Sequence, residues 1–153
     1  MTSPADQGAN ALALPSGVVV LTDELVALSR VDDELVAVLA HELGHVKGRH
    51  ALRRLLQSSL VAGLAILVTG DVASAASLIA AVPTALAEAG YSRELEREAD
   101  AYALATFDRH QIDRRHFARI LERLAAQPRS ELPGFLATHP ATEERVRALE
   151  ARR

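Results

Sequence analysis

At 153 residues, with 49% hydrophobic and 24% charged content, the chain can bury one sizeable core, and its length argues for a single domain. A net charge of −3, with scattered arginines and no interleaved aromatics, argues against a nucleic-acid partner. The absence of cysteine excludes disulfides and thiolate metal sites, so any zinc must be held by histidine and carboxylate.

With aromatics at only 3%, the core is expected to be built from Ala, Leu and Val, which suits close-packed helices. Met1 to Asn10 is polar and reads as flexible, without the basic start and apolar run of a secretion signal. Asn10 to Leu21 holds two short apolar runs around the turn signal Pro15, Ser16 and Gly17, and Gly17 to Leu21 reads as a strand. Thr22 then caps a short helix to about Ser29, with Asp23 and Glu24 in its first turn. A longer helix starts at Asp32 or Asp33 and runs to about Lys47, where Gly48 offers a stop or a bend.

Ala51 to Val68 is a further helix, basic at Arg53 and Arg54 and apolar at its end. From Ser58 to Gly90 the only charges are Asp71 and Glu88. Thr69, Gly70 and Asp71 break the first apolar run at roughly ten residues, short of the ~20 that span a bilayer, and Pro83 breaks the second. Buried or surface-lying helices are therefore expected here, with contact to a membrane surface as the alternative. Ser92 caps a charged helix to about Phe107, Asp113 caps another over Ile112 to Ala126, Pro128 to Pro140 forms a loop, and Thr142 caps a last helix ending at Arg152 and Arg153.

The chemistry lies in VAVLAHELGHVKGRH, residues 36 to 50. A helix advances ~100° per residue, so His41 and His45 sit one turn apart, about 40° from each other on one face, where two imidazoles can reach one ion. Glu42 projects from the edge of that face. Two neutral nitrogen ligands, an open position for water and a nearby carboxylate to take its proton are what hydrolytic zinc chemistry needs. Two ordinary surface histidines are the bland alternative.

A third ligand is required. The pattern that takes a later histidine would need it at residue 51, which is Ala. His50, five residues after His45, points about 140° away on a continuing helix and reads as a solvated or capping residue. A carboxylate from a downstream helix is the other solution, offered by Glu94, Glu96 and Glu98. Glu96 lies four residues before Asp100, so one carboxylate can bind metal while the other receives the remaining N–H of a ligating imidazole. Glu94 and Glu98 read as a solvated face, and for Glu96 a surface ion pair with Arg93 or Arg97 stays open.

HELGH at 41 to 45, followed by YSRELEREAD at 91 to 100, resembles the gluzincin zinc metallopeptidase family of the CAAX prenyl protease, HtpX, Oma1 and BepA. NALALPSGVVVLTDEL resembles the segment preceding its active-site helix, and THPATEER at 138 to 145 its downstream His-Pro motif, so the likeness spans about Asn10 to Arg145. The resemblance implies an α+β, mainly helical fold, a zincin-like domain with a small β-sheet and an active-site helix. It implies one Zn2+ on His41, His45 and Glu96, Glu42 as the catalytic carboxylate, and Asp100 behind a ligating imidazole.

It also implies that His139 and Arg145 face the tetrahedral oxyanion, His139 being able to cap the metal in an idle state; a loop histidine packed beside Pro140 is the plainer reading. Polypeptide substrates would pair with the strand Gly17 to Leu21. The expected activity is endoproteolysis of unfolded, misfolded or membrane-associated proteins by a catalytic domain or minimal form occupying residues 1 to 153, with 1 to 9 flexible. A cell-envelope or membrane-associated location follows from the resemblance alone. The competing readings are a zinc-stapled chaperone or adaptor without turnover, and a membrane-surface module built on residues 58 to 90. His110 and His116 read as surface residues.

Overall fold

The structure is a computed structural model that describes residues 8–70, 92–127, 134–140 and 143–150. It is mainly helical with one small antiparallel sheet, as the α+β expectation holds. Strands β1 (Ala11–Ala13) and β2 (Val19–Leu21) pair with Ala11 opposite Leu21 and Ala13 opposite Val19. The second strand starts two residues later than Gly17, because Gly17 is spent on the turn. It adopts φ +89°, which a residue without Cβ tolerates, and donates its N–H to the Leu14 carbonyl, with Pro15 at the turn's second position.

Thr22 does two jobs. Its hydroxyl oxygen accepts the Leu25 N–H, starting helix α1 (Asp23–Leu28), and accepts the Asn10 N–H at 2.9 Å, which ties that helix to the first strand. Helix α2 (Asp32–Lys47) begins after Val31, which offers no side-chain cap. Three acidic residues in its first turn face the helix dipole instead, and Glu34 accepts the Arg30 N–H at 2.8 Å. Glu34 is buried and also meets Arg123.

Helix α3 (His50–Thr69) follows after a break at Gly48 and Arg49, so it absorbs the expected Ala51 to Val68 helix with one residue added at each end. Helix α4 (Arg93–His110) is capped by the Ser92 hydroxyl, as expected, and closed by Gln111 in the left-handed region. Helix α5 (Arg115–Ala125) starts later than Ile112. The reason is that Ile112 still completes the end of α4, donating its N–H to the Phe107 carbonyl, while Asp113 accepts the Arg115 N–H at 2.9 Å. Residues 134 to 138 of the expected Pro128 to Pro140 loop carry a short helix α6 (Phe135–Thr138), and α7 (Glu143–Glu150) closes the described chain. The Thr142 cap and most of the second apolar run, Asp71 to Gly90, lie outside the described residues. Among the described residues no helix is long and apolar enough to cross a membrane.

α2 lies directly on α4 at Gly44. A Cβ there would meet the Ala99 Cα at 2.8 Å and its carbonyl oxygen at 2.9 Å, so the two backbones touch only because residue 44 has no side chain. Leu25, Ala37, Val38, Ala103, Ile120 and Leu121 fill the interior around this contact. The core departs from the aliphatic expectation in one respect: all three phenylalanines of the chain, Phe107, Phe117 and Phe135, are fully buried. Each contributes roughly 2 to 3 kcal/mol of burial, and two of them pack against the histidines of α2 or the residue that follows α6.

Candidate metal centre

Helical spacing in α2 brings the two histidines together as the sequence predicts, with Nε2 of His41 and Nε2 of His45 3.1 Å apart. The close α2–α4 crossing presents Glu96 to both, 3.5 Å from His41 Nε2 and 3.3 Å from His45 Nε2. His139, at the end of α6, adds its Nδ1 at 3.4 Å from His41 Nε2 and 3.0 Å from Glu96 Oε1. Donor atoms of these four buried residues all lie within 4.8 Å of one another. Zinc with bonds of about 2.0 Å in a tetrahedron requires ligand separations of about 3.3 Å. The neighbouring separations of 3.0 to 3.5 Å lie around that value, with Glu96 turning Oε2 to His41 and Oε1 to His45 and His139.

The proton inventory points the same way. His41 Nδ1 lies 2.9 Å from Asp100 Oδ1, off the line of an ideal hydrogen bond but close enough to favour the N–H on that nitrogen. Its Nε2 then faces the Nε2 of His45 and the carboxylate of Glu96, a cluster of acceptors that holds a proton on His41 in the absence of metal and can hold a metal cation in its place. Nitrogen and carboxylate oxygen donors, buried and without thiolate, suit zinc.

The protonation equilibria of these side chains reflect that crowding. Burial disfavours charge on His41, yet hydrogen bonds and charges from Asp100 and Glu96 outweigh it and push the pKa up to about 9. His45 goes the other way, to about 3, because burial dominates and its Glu96 contact does not offset the nearby imidazoles. Glu96 falls well below the usual carboxylate range: burial raises it, but His139, His41 and His45 together win. Asp100 is lowered too, burial being overcome by His41 and Arg145.

Glu42 is fully buried and differs from all of these. Burial raises its pKa, against the pull of His139 and His41, and among the described residues neither carboxylate oxygen has a hydrogen bond of normal geometry. Its Oε1 is 3.5 Å from His139 Nε2, and the Ala13 main chain faces it. A carboxylate in this setting is poised to take and return a proton.

Each predicted site residue lies at this centre, with one change of emphasis. Arg145 is buried with Nε and Nη2 bonded to Asp100 at 2.7 and 2.8 Å, and with Nη1 at 2.6 Å from Glu96 and 2.8 Å from the Pro140 carbonyl. That commits the guanidinium to holding the two carboxylates in place. Glu94 is exposed, as expected. His110 is exposed, while His116 is half-buried, 3.6 Å from Asp33.

One reading needs correction. His50 is not solvated: it is fully buried, its Nδ1 2.9 Å from His45 Nδ1 and its Nε2 3.2 Å from Glu98. Glu98 is exposed, as expected of a solvated face, and from there it joins His50 to Arg53. The geometry argument that dismissed His50 assumed one continuous helix. Arg49, at φ +51°, breaks it and turns the ring back. The signal that could have found this was Gly48 immediately before Arg49 and His50.

Comparison with known proteins matches residues 2–153 to Peptidase family M48. A putative beta-barrel assembly-enhancing protease of Vibrio cholerae serotype O1 is 31% identical over 153 residues, covering 92% of this chain and 32% of the relative. The mitochondrial metalloendopeptidase OMA1 of Schizosaccharomyces pombe is 26% identical, covering 95% of this chain and 44% of its own. The beta-barrel assembly-enhancing protease of Escherichia coli K12 is 32% identical over 90% of this chain and 31% of its own. The chain thus spans a third to under half the length of these relatives.

Proposed function

The chain belongs to Peptidase family M48, and from that premise we propose that it is a single catalytic domain that hydrolyses internal peptide bonds of loosely folded polypeptides with a zinc ion held by His41, His45 and Glu96. The observation that carries this is the convergence of those three side chains, with donor atoms 3.1 to 3.5 Å apart, beside the buried carboxylate of Glu42. When bound, zinc supplies a Lewis acid that polarises the scissile carbonyl and acidifies water.

Glu42 takes the proton of the attacking water on a carboxylate oxygen and passes it to the leaving amine. Asp100 and Arg145 keep the His41 ring and Glu96 in place throughout. His139 has two positions to choose between. With Nδ1 beside the other donors, His139 would help hold the zinc and keep the enzyme idle; rotated away, its Nε2, now 3.5 Å from Glu42, would serve as a donor to the oxyanion.

An extended substrate is proposed to add to the hairpin, whose main chain then sets the register of the scissile bond. The sequence singled out the strand Gly17 to Leu21 for this; its partner β1 places the Ala13 main chain against Glu42. Substrates that are unfolded, misfolded or membrane-associated, and a location at a cell envelope or membrane, belong to the same proposal; two relatives' names point to beta-barrel assembly and one to mitochondria.

Glu42→Gln tests the mechanism. It keeps the volume and removes the base, so zinc content should stay at one per chain while casein cleavage falls by at least about a hundredfold. Retained cleavage removes Glu42 from the reaction. A non-catalytic, zinc-stapled adaptor is favoured by one feature, the four-donor closed set that includes His139. His139→Ala separates the two: under the peptidase reading zinc is retained and cleavage changes, whereas a structural four-ligand site loses its metal.

A further inference from the structure

The buried group that the mechanism leaves unused is His50, and around it three local features have one purpose. Gly48 keeps a helical φ of −73°, so it is not there for backbone freedom; a Cβ on it would lie 2.1 Å from His50 Nε2. Arg49, next in the chain, is held in the left-handed region, a conformation unfavourable for a side-chain-bearing residue. Together they fold the His50 ring under the end of α2, against His45, with ring centroids 4.9 Å apart and the planes almost perpendicular.

Proton counting gives the contact a direction. A Glu98 carboxylate only accepts, so the His50 Nε2 facing it at 3.2 Å must carry the N–H. A neutral imidazole has one N–H, which leaves His50 Nδ1 as an acceptor. The partner at 2.9 Å, His45 Nδ1, must then be the donor, and the lone pair of His45 is forced onto Nε2, the atom that faces His41 and Glu96. Arg53 completes the chain with two contacts to Glu98, at 2.6 and 3.2 Å.

We infer that His50, backed by Glu98 and Arg53, is a positioning residue that fixes the tautomer and ring angle of His45 so that Nε2 is presented to the metal. The inference rests on the assignment of His45 as a ligand. It assigns to the Gly-Arg-His sequence at 48 to 50 the same task for His45 that Asp100 performs for His41. Nothing in the reaction passes through His50.

The test reads the hydrogen bond itself and the metal affinity separately. In 15N spectra of the full chain, metal-free and zinc-loaded, His45 Nδ1 should carry the proton, His50 Nδ1 should be bare, and a scalar coupling should join the two nitrogens. A proton resident on His50 Nδ1 overturns the inference, and because the metal-free chain shows it, that result stands apart from whether zinc binds at all. By chelator competition, His50→Phe, which keeps a buried ring but has no acceptor, should weaken zinc binding 10- to 100-fold. His50→Asn, whose amide oxygen occupies roughly the place of Nδ1, should bind zinc close to the wild-type value. Equal affinities for His50→Phe and wild type, or no rescue by Asn, overturn it. Should His50→Phe not fold, Gly48→Ala displaces the ring without replacing it and must show the same loss of affinity.

Discussion

The two imidazoles of α2 are held by means that differ in depth. Behind His41 stands a carboxylate one atom away, Asp100, gripped by Arg145 through two hydrogen bonds in the interior. Behind His45 stands a second imidazole, then Glu98, then Arg53, and the last two side chains are 43% and 41% exposed. Both arrangements end in an arginine and orient one Nδ1. The interior one is short, strongly coupled and dependent on α7, which supplies Arg145 from the far end of the chain. The outer one joins residues 45 to 53 to Glu98 of α4, and its terminal charges share their interaction with water. Both proposed ligands therefore lean on α4, one through a buried support and the other through a partly exposed one.

The sharpest way to break this contrast is Asp100→Ala. It strips His41 of its acceptor and leaves Arg145, 7% exposed, with one of its two carboxylates gone. Removing a partner from a buried pair costs about 3 kcal/mol, and loss of the contact behind a ligating imidazole costs 10- to 100-fold in metal affinity. Both should appear together, as a lowered denaturant midpoint and a lowered zinc affinity. A variant of normal stability that merely binds zinc less well would make the inner arrangement as peripheral to the fold as the outer.

Gly44→Ala should come next, at about 2 kcal/mol, the range for overpacking a rigid contact. Its Cβ meets α4 backbone at 2.8 Å rather than a side chain that could step aside. Because Glu96, Glu98 and Asp100 all stand on α4, a shift of that helix moves both supports and the third ligand at once. Zinc stoichiometry should fall with stability, and the two histidines should become equivalent in their loss. If zinc binding survived unchanged, the position of α4 would not be set by residue 44.

Much of this centre was legible in the chain because helical periodicity is simple. A four-residue interval put His41 beside His45, and the same interval between Glu96 and Asp100 singled out one acidic residue among three. Caps at Thr22 and Ser92 were equally readable, since a hydroxyl before a helical run has one preferred use. His50 was not, because its position depends on a single left-handed residue, Arg49, that no periodicity announces. Gly44 carries no sequence signal of its own; its importance exists only once a second backbone arrives. The burial of every phenylalanine was hidden by composition, which counts residues and does not locate them.

The smallest expected effect lies at the outer end of the longer arrangement. Arg53→Ala removes the partner of Glu98, leaving His50 and its acceptor in place. The Arg53–Glu98 pair is about two-fifths exposed on each side, and such pairs contribute at most a small factor. Zinc affinity should therefore drop by no more than about fivefold, far less than for His50→Phe, and the difference from wild type should shrink as salt is raised, because only solvent-facing charge is screened over a Debye length. Asp100→Ala, acting in the interior, should keep its deficit across the same salt series. If Arg53→Ala were as damaging as Asp100→Ala and as indifferent to salt, Glu98 would have to be functionally buried, and the division between a buried and a partly exposed support would no longer describe how the two histidines of α2 are held.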